Sequence, residues 1–248
     1  MPVSSKLPRV LELHRAPERT EDAEFGEERL SPPPVLAVPL NGFVPEPPTL
    51  DELQIVQRLF FLAGDDVPRA VVFCGVEEGD GADAVCARTA EVLSSMVSET
   101  VCLMDANLRA PTLHLRYEID ESLEFRGANC REGDPTSRLR GPSLWVLPAA
   151  ALKDSRPGFS PEQVRAQLGT LREQFGFLLM TAPPLSTAAE GFLLGQMADG
   201  VVLTVMAHST RRAVAQKVRR NLELYNVRVL GAVVNERPSK SARAAMAL

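Results

Sequence analysis

Apolar residues fall into two alternating patterns along most of the chain after residue 49. Short runs that are almost wholly apolar predict strands buried on both faces, because polar residues are missing from both sides of the pleat. The first run reads Ala-Val-Val-Phe-Cys at residues 70–74. The predicted strands occupy residues 69–75, 100–105, 143–147, 177–181, 200–205 and 229–234.

Between these strands, apolar residues recur at the three- and four-residue spacing of a helix. Thr49 can cap the first helix, with Asp51 and Glu52 in its first turn. Alternation of buried strands with helices predicts a doubly wound α/β fold with a mainly parallel sheet, in which ligands bind at the carboxyl ends of the strands. The predicted helices occupy residues 49–63, 82–95, 161–174, 188–197 and 211–225.

The first 48 residues have a different composition, and we predict that they form a disordered tail. Prolines cluster there, and charged residues are dense between residues 18 and 29. Such a segment buries too little apolar surface to offset the entropy of ordering it, although a short helix near residues 10–15 could form against a partner. The predicted units are a tail at 1–48, a P-loop NTPase-like domain at 49–240 and a flexible C-terminal tail at 241–248.

Charge and composition exclude several functional classes. The 248 residues carry a net charge of -5, which provides no global basic field for nucleic acid. No run approaches the ~18 apolar residues needed to span a bilayer, and the N-terminus lacks a signal-peptide core, so we predict a cytoplasmic protein. The cysteines form no C-x-x-C pair and are predicted to be buried free thiols, at Cys74, Cys86, Cys102 and Cys130.

A loop that contains glycines joins the first predicted strand to the next helix, at residues 76–81. This arrangement is the setting of a P-loop, where backbone N–H groups and a helix N-terminus hold phosphate. An active P-loop also needs a lysine that reaches the β- and γ-phosphates and a serine or threonine that binds Mg²⁺. Neither residue type ends this loop, which reads Gly79-Asp80-Gly81-Ala82-Asp83.

Several segments, taken in order, resemble the ATPases and tyrosine kinases of bacterial capsule and exopolysaccharide synthesis. Residues 74–83, Cys-Gly-Val-Glu-Glu-Gly-Asp-Gly-Ala-Asp, resemble the family's T-S-A-x-P-G-E-G-K-S loop. Residues 101–114 resemble V-L-L-V-D-A-D-L-R-x-P-x-L-H, and residues 175–184 resemble Y-D-Y-V-I-I-D-T-P-P. Residues 198–205 and 229–235 resemble two further strands of the family, L-A-D-G-V-L-L-V-V and V-L-G-V-V-L-N. The resemblance implies a P-loop NTPase fold, which MinD-like and partition ATPases share more widely.

Departures from the family motifs fall at the positions that handle phosphate and metal. By resemblance, Ala82 replaces the phosphate-binding lysine, Asp83 the Mg²⁺-binding hydroxyl and Thr181 the Walker B aspartate. Asn107 replaces a second aspartate, while Asp105 keeps its carboxylate and would be the catalytic residue if the site were active. The implied vestigial nucleotide site comprises Gly79, Asp80, Gly81, Ala82, Asp83, Asp105 and Asn235. Asn235 would contact the adenine base, or would instead make local hydrogen bonds at a strand end.

Negative charge crowds the same loop and opposes nucleotide binding. Glu77, Glu78, Asp80 and Asp83 all lie between residues 77 and 83. Two unit charges ~4 Å apart interact by about 4 kcal/mol at an effective dielectric near 20, although exposure and salt reduce this energy. Asp83 can instead interact favourably with the dipole of the helix. A Ca²⁺ or Mg²⁺ site that adds Asp105 is less favoured, because the spacing does not fit an EF-hand. We expect no metal and no cofactor, with ATP and Mg²⁺ as the ligands if the site functions.

Two features that serve assembly and autophosphorylation in the family are incomplete in this chain. Glu52 and Arg58 match the family's E-x-x-R-x-x-R helix motif, but Ile55 replaces its first arginine. We therefore expect self-association into a homo-oligomer through this helix motif to be weaker than in the family. The C-terminus has no tyrosine cluster, since the two tyrosines are Tyr117 and Tyr225. Autokinase activity of the family's type is not expected.

These observations lead to the hypothesis of a pseudo-ATPase that regulates or scaffolds exopolysaccharide or capsule synthesis and export. By resemblance, its partner would be a membrane polysaccharide co-polymerase or an active paralogue, which would hold it at the inner membrane. The alternative is an active ATPase or tyrosine kinase in which Lys153, Arg109 or a partner's arginine supplies charge. A further alternative is a MinD/ParA-like positioning protein, which would need a membrane-targeting helix that the short C-terminal tail does not offer.

Overall fold

A computed structural model describes residues 38–39, 46–62, 64, 66–119, 144–149 and 161–236. Seven strands form one sheet: β1 (Val38–Pro39), β2 (Ala70–Gly75), β3 (Val101–Asp105), β4 (Leu144–Leu147), β5 (Phe177–Ala182), β6 (Gly200–Met206) and β7 (Val229–Asn235). Their order across the sheet is β1-β4-β3-β5-β2-β6-β7. The strand that carries the candidate loop, β2, therefore lies inside the sheet, between β5 and β6.

Helices connect the strands and cover the two faces of the sheet. They are α1 (Leu50–Val56), α2 (Ala82–Met96), α3 (Leu113–Arg116), α4 (Pro161–Gln174), α5 (Glu190–Met197) and α6 (Arg212–Leu224). A π-helical turn, Gln57–Phe61, continues α1. In the described part of the chain, no helix has the length and apolarity needed to cross a bilayer.

The strands β2 to β7 all pair in parallel. The prediction of a doubly wound, mainly parallel sheet is therefore confirmed, and each of the six predicted strands is present. The short helix α3 was not predicted, because its four residues are too few to show a helical period.

Part of the predicted N-terminal tail belongs to the sheet, which corrects the boundary that we drew at residue 49. Val38 lies opposite Val146 and Pro39 opposite Trp145, so that β1 pairs antiparallel with β4. A proline has no N–H to donate, and an edge position such as this tolerates it. Residues 1–37, most of the predicted tail, and residues 237–248 lie outside the described residues.

The core consists of two apolar clusters, one on each face of the sheet. Alternate residues of β2 divide between them, with Val72 on one side and Phe73 on the other. Helices α4, α5 and α6 cover the first face, and α1 and α2 cover the second. All six residues of β2 are buried, which explains why its sequence is a continuous apolar run rather than an alternating one.

Three of the predicted free thiols are confirmed within the described residues. Cys74, Cys86 and Cys102 are all buried and unpaired by disulfides. Burial disfavours the thiolate, and it raises the pKa of Cys74 to about 12. Cys130 lies outside the described residues.

The first helix begins at the residue that the sequence indicated. Thr49 is its N-cap and forms a capping box, in which Glu52 N donates to Thr49 Oγ1 (3.3 Å) and Thr49 N donates to Glu52 Oε2 (2.9 Å). The same Glu52 carboxylate accepts from Arg88 Nε (3.0 Å) and Nη2 (2.8 Å) on α2. One side chain therefore caps α1 and also attaches it to α2.

Arg88 extends this contact into a buried network centred on Glu91. The Glu91 carboxylate, whose side chain is 2% exposed, accepts from Arg88 Nη1 at 2.7 Å. Arg116 Nη2 (2.8 Å) and Tyr117 Oη (2.8 Å) donate to its other oxygen, so that the residues at and after α3 are fixed to α2. A charge this deeply buried is tolerated because both of its oxygens have donors.

The Glu52 contact predicts a pH-dependent contribution to stability. The hydrogen bonds from Arg88 lower the pKa of Glu52 to about 2. A carboxyl whose pKa is lower in the folded state stabilises the fold above its unfolded pKa and loses that effect as pH falls through the folded value. Because Glu52 is partly exposed, we expect Glu52→Gln to lower the free energy of unfolding by about 1 kcal/mol at pH 7.

Urea denaturation measured from pH 7 to pH 2 tests this prediction. The difference between parent and Glu52→Gln should shrink between about pH 4.5 and pH 2. Glu173→Gln, at an exposed position on α4, is the matched control and should stay within about 0.5 kcal/mol of the parent. A Glu52→Gln difference that is independent of pH would contradict the assignment.

Candidate functional site

The loop between β2 and α2 occupies the place in the fold where a P-loop binds phosphate. Gly79 and Gly81 have left-handed backbone angles, with φ of 84° and 75°. Gly81 is the residue before α2, so the loop leads directly into the helix N-terminus. Positive φ values at these two positions favour glycine and allow a tight loop to form at the carboxyl end of β2.

Asp80 fixes this loop to the next strand of the sheet. Its side chain is 2% exposed. Asp80 Oδ2 accepts from Glu77 N at 2.8 Å within the loop, and Oδ1 accepts from Thr210 Oγ1 at 2.7 Å. Met206 N donates to the same Oδ1 at 3.2 Å. The carboxylate of Asp80 is therefore used to hold the loop against the β6–α6 connection.

Glu77 makes a second contact with that connection. Its carboxylate accepts from Arg211 Nε (3.0 Å), Nη2 (2.6 Å) and backbone N (2.7 Å). Arg211 is the residue before α6, so Glu77 also satisfies an orphan N–H at the start of that helix. The hydrogen bonds from Arg211 lower the pKa of Glu77. The predicted repulsion among these carboxylates is consequently reduced, because other groups of the chain donate hydrogen bonds to Glu77 and Asp80.

Ala82 and Asp83 form the start of α2. Ala82 is buried and brings no cation to the loop. Asp83 is half-buried in the first turn of the helix, where a carboxylate interacts favourably with the helix dipole. Glu78 is exposed. In the described part of the chain, no group of three or more His, Cys, Asp or Glu side chains is arranged to hold a metal ion.

Asp105 is fully buried at the end of β3, and each of its oxygens has two donors. Thr181 Oγ1 (3.0 Å) and Asn107 N (3.2 Å) donate to Oδ1. Thr112 N (2.9 Å) and Leu113 N (3.0 Å) donate to Oδ2. The carboxylate that the family motif preserves is therefore held between a hydroxyl group and the backbone that leads into α3.

Thr181 lies directly beside Asp105 because β3 and β5 pair in parallel with these two residues in register. In the family motif, an aspartate would occupy the Thr181 position. Two carboxylates at this distance repel unless a cation or a proton lies between them. The threonine hydroxyl removes the repulsion and donates a hydrogen bond in its place.

Asn235, at the end of β7, also contacts the loop. Its Nδ2 donates to the Asp80 carbonyl at 3.2 Å. A Cβ atom at Gly81 would collide with the same Nδ2, so glycine is needed for this close approach. The structure places Asn235 against the loop through a contact between residues that are distant in sequence. Adenine contact stays a prediction.

Arg109, one of the cations that could supply charge for catalysis, has another partner. Arg109 Nε and Nη2 both donate to Glu190 Oε1, at 3.0 and 2.7 Å. Lys153 lies outside the described residues. Sequence reasoning missed the Arg211–Glu77 and Arg109–Glu190 pairs, because 134 and 81 residues separate their members. The one available indication was the position of Arg211 at the start of a helix, where a cation needs an acidic partner to offset the helix dipole.

The loop after β5 also packs on the candidate loop. Leu185 N donates to the Gly75 carbonyl (3.0 Å), and Ser186 N donates to the Val76 carbonyl (3.1 Å). The residues that follow the Walker B-like segment are thus in direct contact with the start of the candidate loop.

Comparisons with known proteins show what the chain resembles in sequence and in fold. No sequence-family model matches the chain. The tyrosine-protein kinase YwqD of Bacillus subtilis is 22% identical over 197 residues, covering 77% of this chain and 83% of YwqD. The crystal structure of the chimerical protein CapA2B2 has a TM-score of 0.63 at 19% identity, covering 78% of this chain and 87% of that chain. The VpsO kinase domain has a TM-score of 0.59 at 22% identity, covering 76% and 97% respectively.

The chain is similar to bacterial tyrosine kinases in sequence and in fold. The resemblance stated from the motifs is therefore confirmed, and the fold is that of a P-loop NTPase. In the structure, Ala82 and Asp83 are the first two residues of α2, and Thr181 lies in β5.

The hydrogen bond from Thr181 to Asp105 leads to a prediction about stability. Thr181→Val keeps the shape of the side chain but removes the donor from a fully buried carboxylate. We expect the free energy of unfolding to fall by about 2 kcal/mol, since hydrogen bonds to charged groups contribute about 1.5–3 kcal/mol. Chemical denaturation by urea measures the change.

Thr170→Val is the matched control for this substitution. Thr170 is exposed on α4, and its hydroxyl donates to the Ala166 carbonyl of the same helix at 3.2 Å. Its loss should change stability by less than about 0.5 kcal/mol. Equal effects of the two substitutions would show that the Thr181–Asp105 contact does not stabilise the fold.

Proposed function

We propose that this chain is a degenerate P-loop relative of the bacterial tyrosine kinases that neither hydrolyses ATP nor transfers its phosphate. It acts as a regulatory or scaffolding component of exopolysaccharide or capsule synthesis and export. The observation that supports this most strongly is the environment of Asp105, where a threonine hydroxyl and three backbone N–H groups use both carboxylate oxygens.

Magnesium chemistry requires the opposite arrangement at this position. Mg²⁺ is bound through carboxylate oxygens, substrate phosphates and water in near-octahedral geometry. Asp105 would have to give up donors to serve a cation, and Thr181 offers a neutral hydroxyl where the family has a second carboxylate. Hydrogen-bond donors within the chain thus already occupy both oxygens of Asp105.

Positive charge for a triphosphate is also scarce at the loop. Phosphoryl transfer depends mainly on placed cations that stabilise charge in the transition state. Ala82 brings none, while Arg211 is paired with Glu77 and Arg109 with Glu190. Binding of ATP would require at least one of these pairs to separate or a cation to come from elsewhere.

The biological setting rests on the similarity to tyrosine kinases and not on any contact in the structure. We propose that a membrane polysaccharide co-polymerase or export protein, or an active paralogue, is the partner and holds the chain at the inner membrane. Self-association through the first helix is less favoured, because Glu52 of the partial E-x-x-R-x-x-R motif is already bound to Arg88 of its own chain.

The second candidate function is an active ATPase or tyrosine kinase with atypical catalytic groups. The tight conformation of the loop at Gly79 and Gly81 favours it, as does the retained Asp105. Arg109 would be a source of charge, since 61% of its side chain is exposed and its ion pair lies at the surface. A MinD/ParA-like positioning role shares the wider fold and is the third candidate.

Titration calorimetry with MgATP on the full chain tests the proposal. We expect a dissociation constant weaker than ~1 mM for the parent. Ala82→Lys combined with Asp83→Ser restores the lysine and hydroxyl, and should tighten binding at least about tenfold. Submillimolar binding by the parent, or ATP hydrolysis that Asp105→Ala abolishes, would overturn the proposal.

A control must separate a specific site from a general change in charge. Glu162→Lys changes the net charge by the same two units at an exposed position on α4. It should leave MgATP binding unchanged. If Glu162→Lys tightens binding as much as the double substitution, the gain comes from the overall field and not from the loop.

A further inference from the structure

The outer side of α6 carries a concentration of positive charge that contrasts with the acidic chain as a whole. Between residues 211 and 228 there are six basic residues and one acidic residue, Glu223, whereas the whole chain has a net charge of -5. The helix buries Val218 and Leu222 against the sheet. Val214 and Ala215 pack partly against the same core, and the opposite side of the helix is exposed.

Three of these basic side chains have no ion pair with any described residue. Arg211 pairs with Glu77, Arg219 with Glu223 and Arg228 with Asp66. The other three, Arg212, Lys217 and Arg220, are exposed. We refer to Arg212, Lys217 and Arg220 as the basic face of α6.

Two large apolar side chains lie at the end of the same helix. Leu224 is 77% exposed and Tyr225 is 48% exposed. Lys217, Arg220 and Leu224 are spaced three and four residues apart, so they share one side of the helix. The surface thus combines positive charge with an apolar end, which suits an acidic segment that also carries an apolar side chain.

A segment of this chain has the matching composition. Residues 18–28 contain six acidic residues and one basic residue, Arg19, and the aromatic Phe25 lies among the acids. We refer to residues 18–28 as the acidic segment. Its six acidic residues and one basic residue are the reverse of the six basic residues and one acidic residue at 211–228.

The covalent path allows this segment to reach α6 of the same molecule. Val38 is fixed at the β1 edge of the sheet, and α6 precedes β7 at the other edge. Six strand spacings of ~4.8 Å put these edges about 29 Å apart. The ten Cα–Cα steps from Glu28 to Val38 can span about 33–36 Å, and the acidic segment itself adds further reach.

We propose that the acidic segment of residues 18–28 docks on the basic face of α6 in the same molecule, with Phe25 against Leu224 and Tyr225. Partners with an acidic surface would then compete with the chain's own segment for α6. This inference does not depend on the activity of the P-loop site.

Zero-length carbodiimide coupling of the full chain, followed by peptide mass spectrometry, tests the proposal. The reagent joins a lysine ammonium to a carboxylate in contact with it. We expect Lys217 to couple with carboxylates of residues 18–28. Arg212→Gln with Arg220→Gln leaves Lys217 in place and should reduce the yield about tenfold, since each exposed pair contributes up to about fivefold. Raising the salt to ~1 M, where the screening length falls to ~3 Å, should reduce it similarly.

Two controls make the result specific. Arg58→Gln with Arg165→Gln removes the same charge at exposed positions on other helices and should leave the yield unchanged. A mixture of ¹⁴N- and ¹⁵N-labelled chains shows whether coupling occurs within one molecule. Absence of the Lys217 coupling, an equal loss in the control variant, or coupling mainly between labelled and unlabelled chains would each overturn the proposal.

Discussion

A buried carboxylate, once removed from water, has to be given hydrogen-bond donors or a cation, and the Asp105 side chain imposes this constraint on its surroundings. The hydroxyl of Thr181 and the backbone at Asn107, Thr112 and Leu113 provide the donors. These bonds place the residues after β3 and start the short helix α3. They also join β3 to β5 through side chains at the point where the family's motifs would place a metal ion.

The same rule explains how the candidate loop tolerates its acidic residues. Asp80 accepts from Thr210 and the backbone, and Glu77 accepts from Arg211. Both contacts lead to the junction of β6 and α6, so the loop is attached to the neighbouring strand by its own negative charges. The acceptors in these contacts are carboxylates of the loop, and most of the donors belong to the β6–α6 connection.

Most of the sheet could be predicted from the sequence, because strands buried on both faces leave an apolar run such as that of β2, which is buried throughout. The start of α1 was equally visible, since Thr49 and Glu52 form a local capping box. The two-residue strand β1 was not, because Val38–Pro39 is too short to show a period and its pairing with β4 is distant in sequence. Within the site, motif positions located Asp105 and Thr181, but the partners of Glu77 could not be found, because ion pairs between distant residues leave no spacing pattern.

The buried cysteines give the fold an internal reporter of its own opening. Cys74 and Cys102 lie in central strands, and Cys86 lies on α2 against the sheet, each without measurable exposure. Thiol reagents attack the thiolate, which burial suppresses at all three positions. Alkylation of these residues at neutral pH therefore has to wait for the strands to separate from their helices, and its rate measures how often the native sheet comes apart.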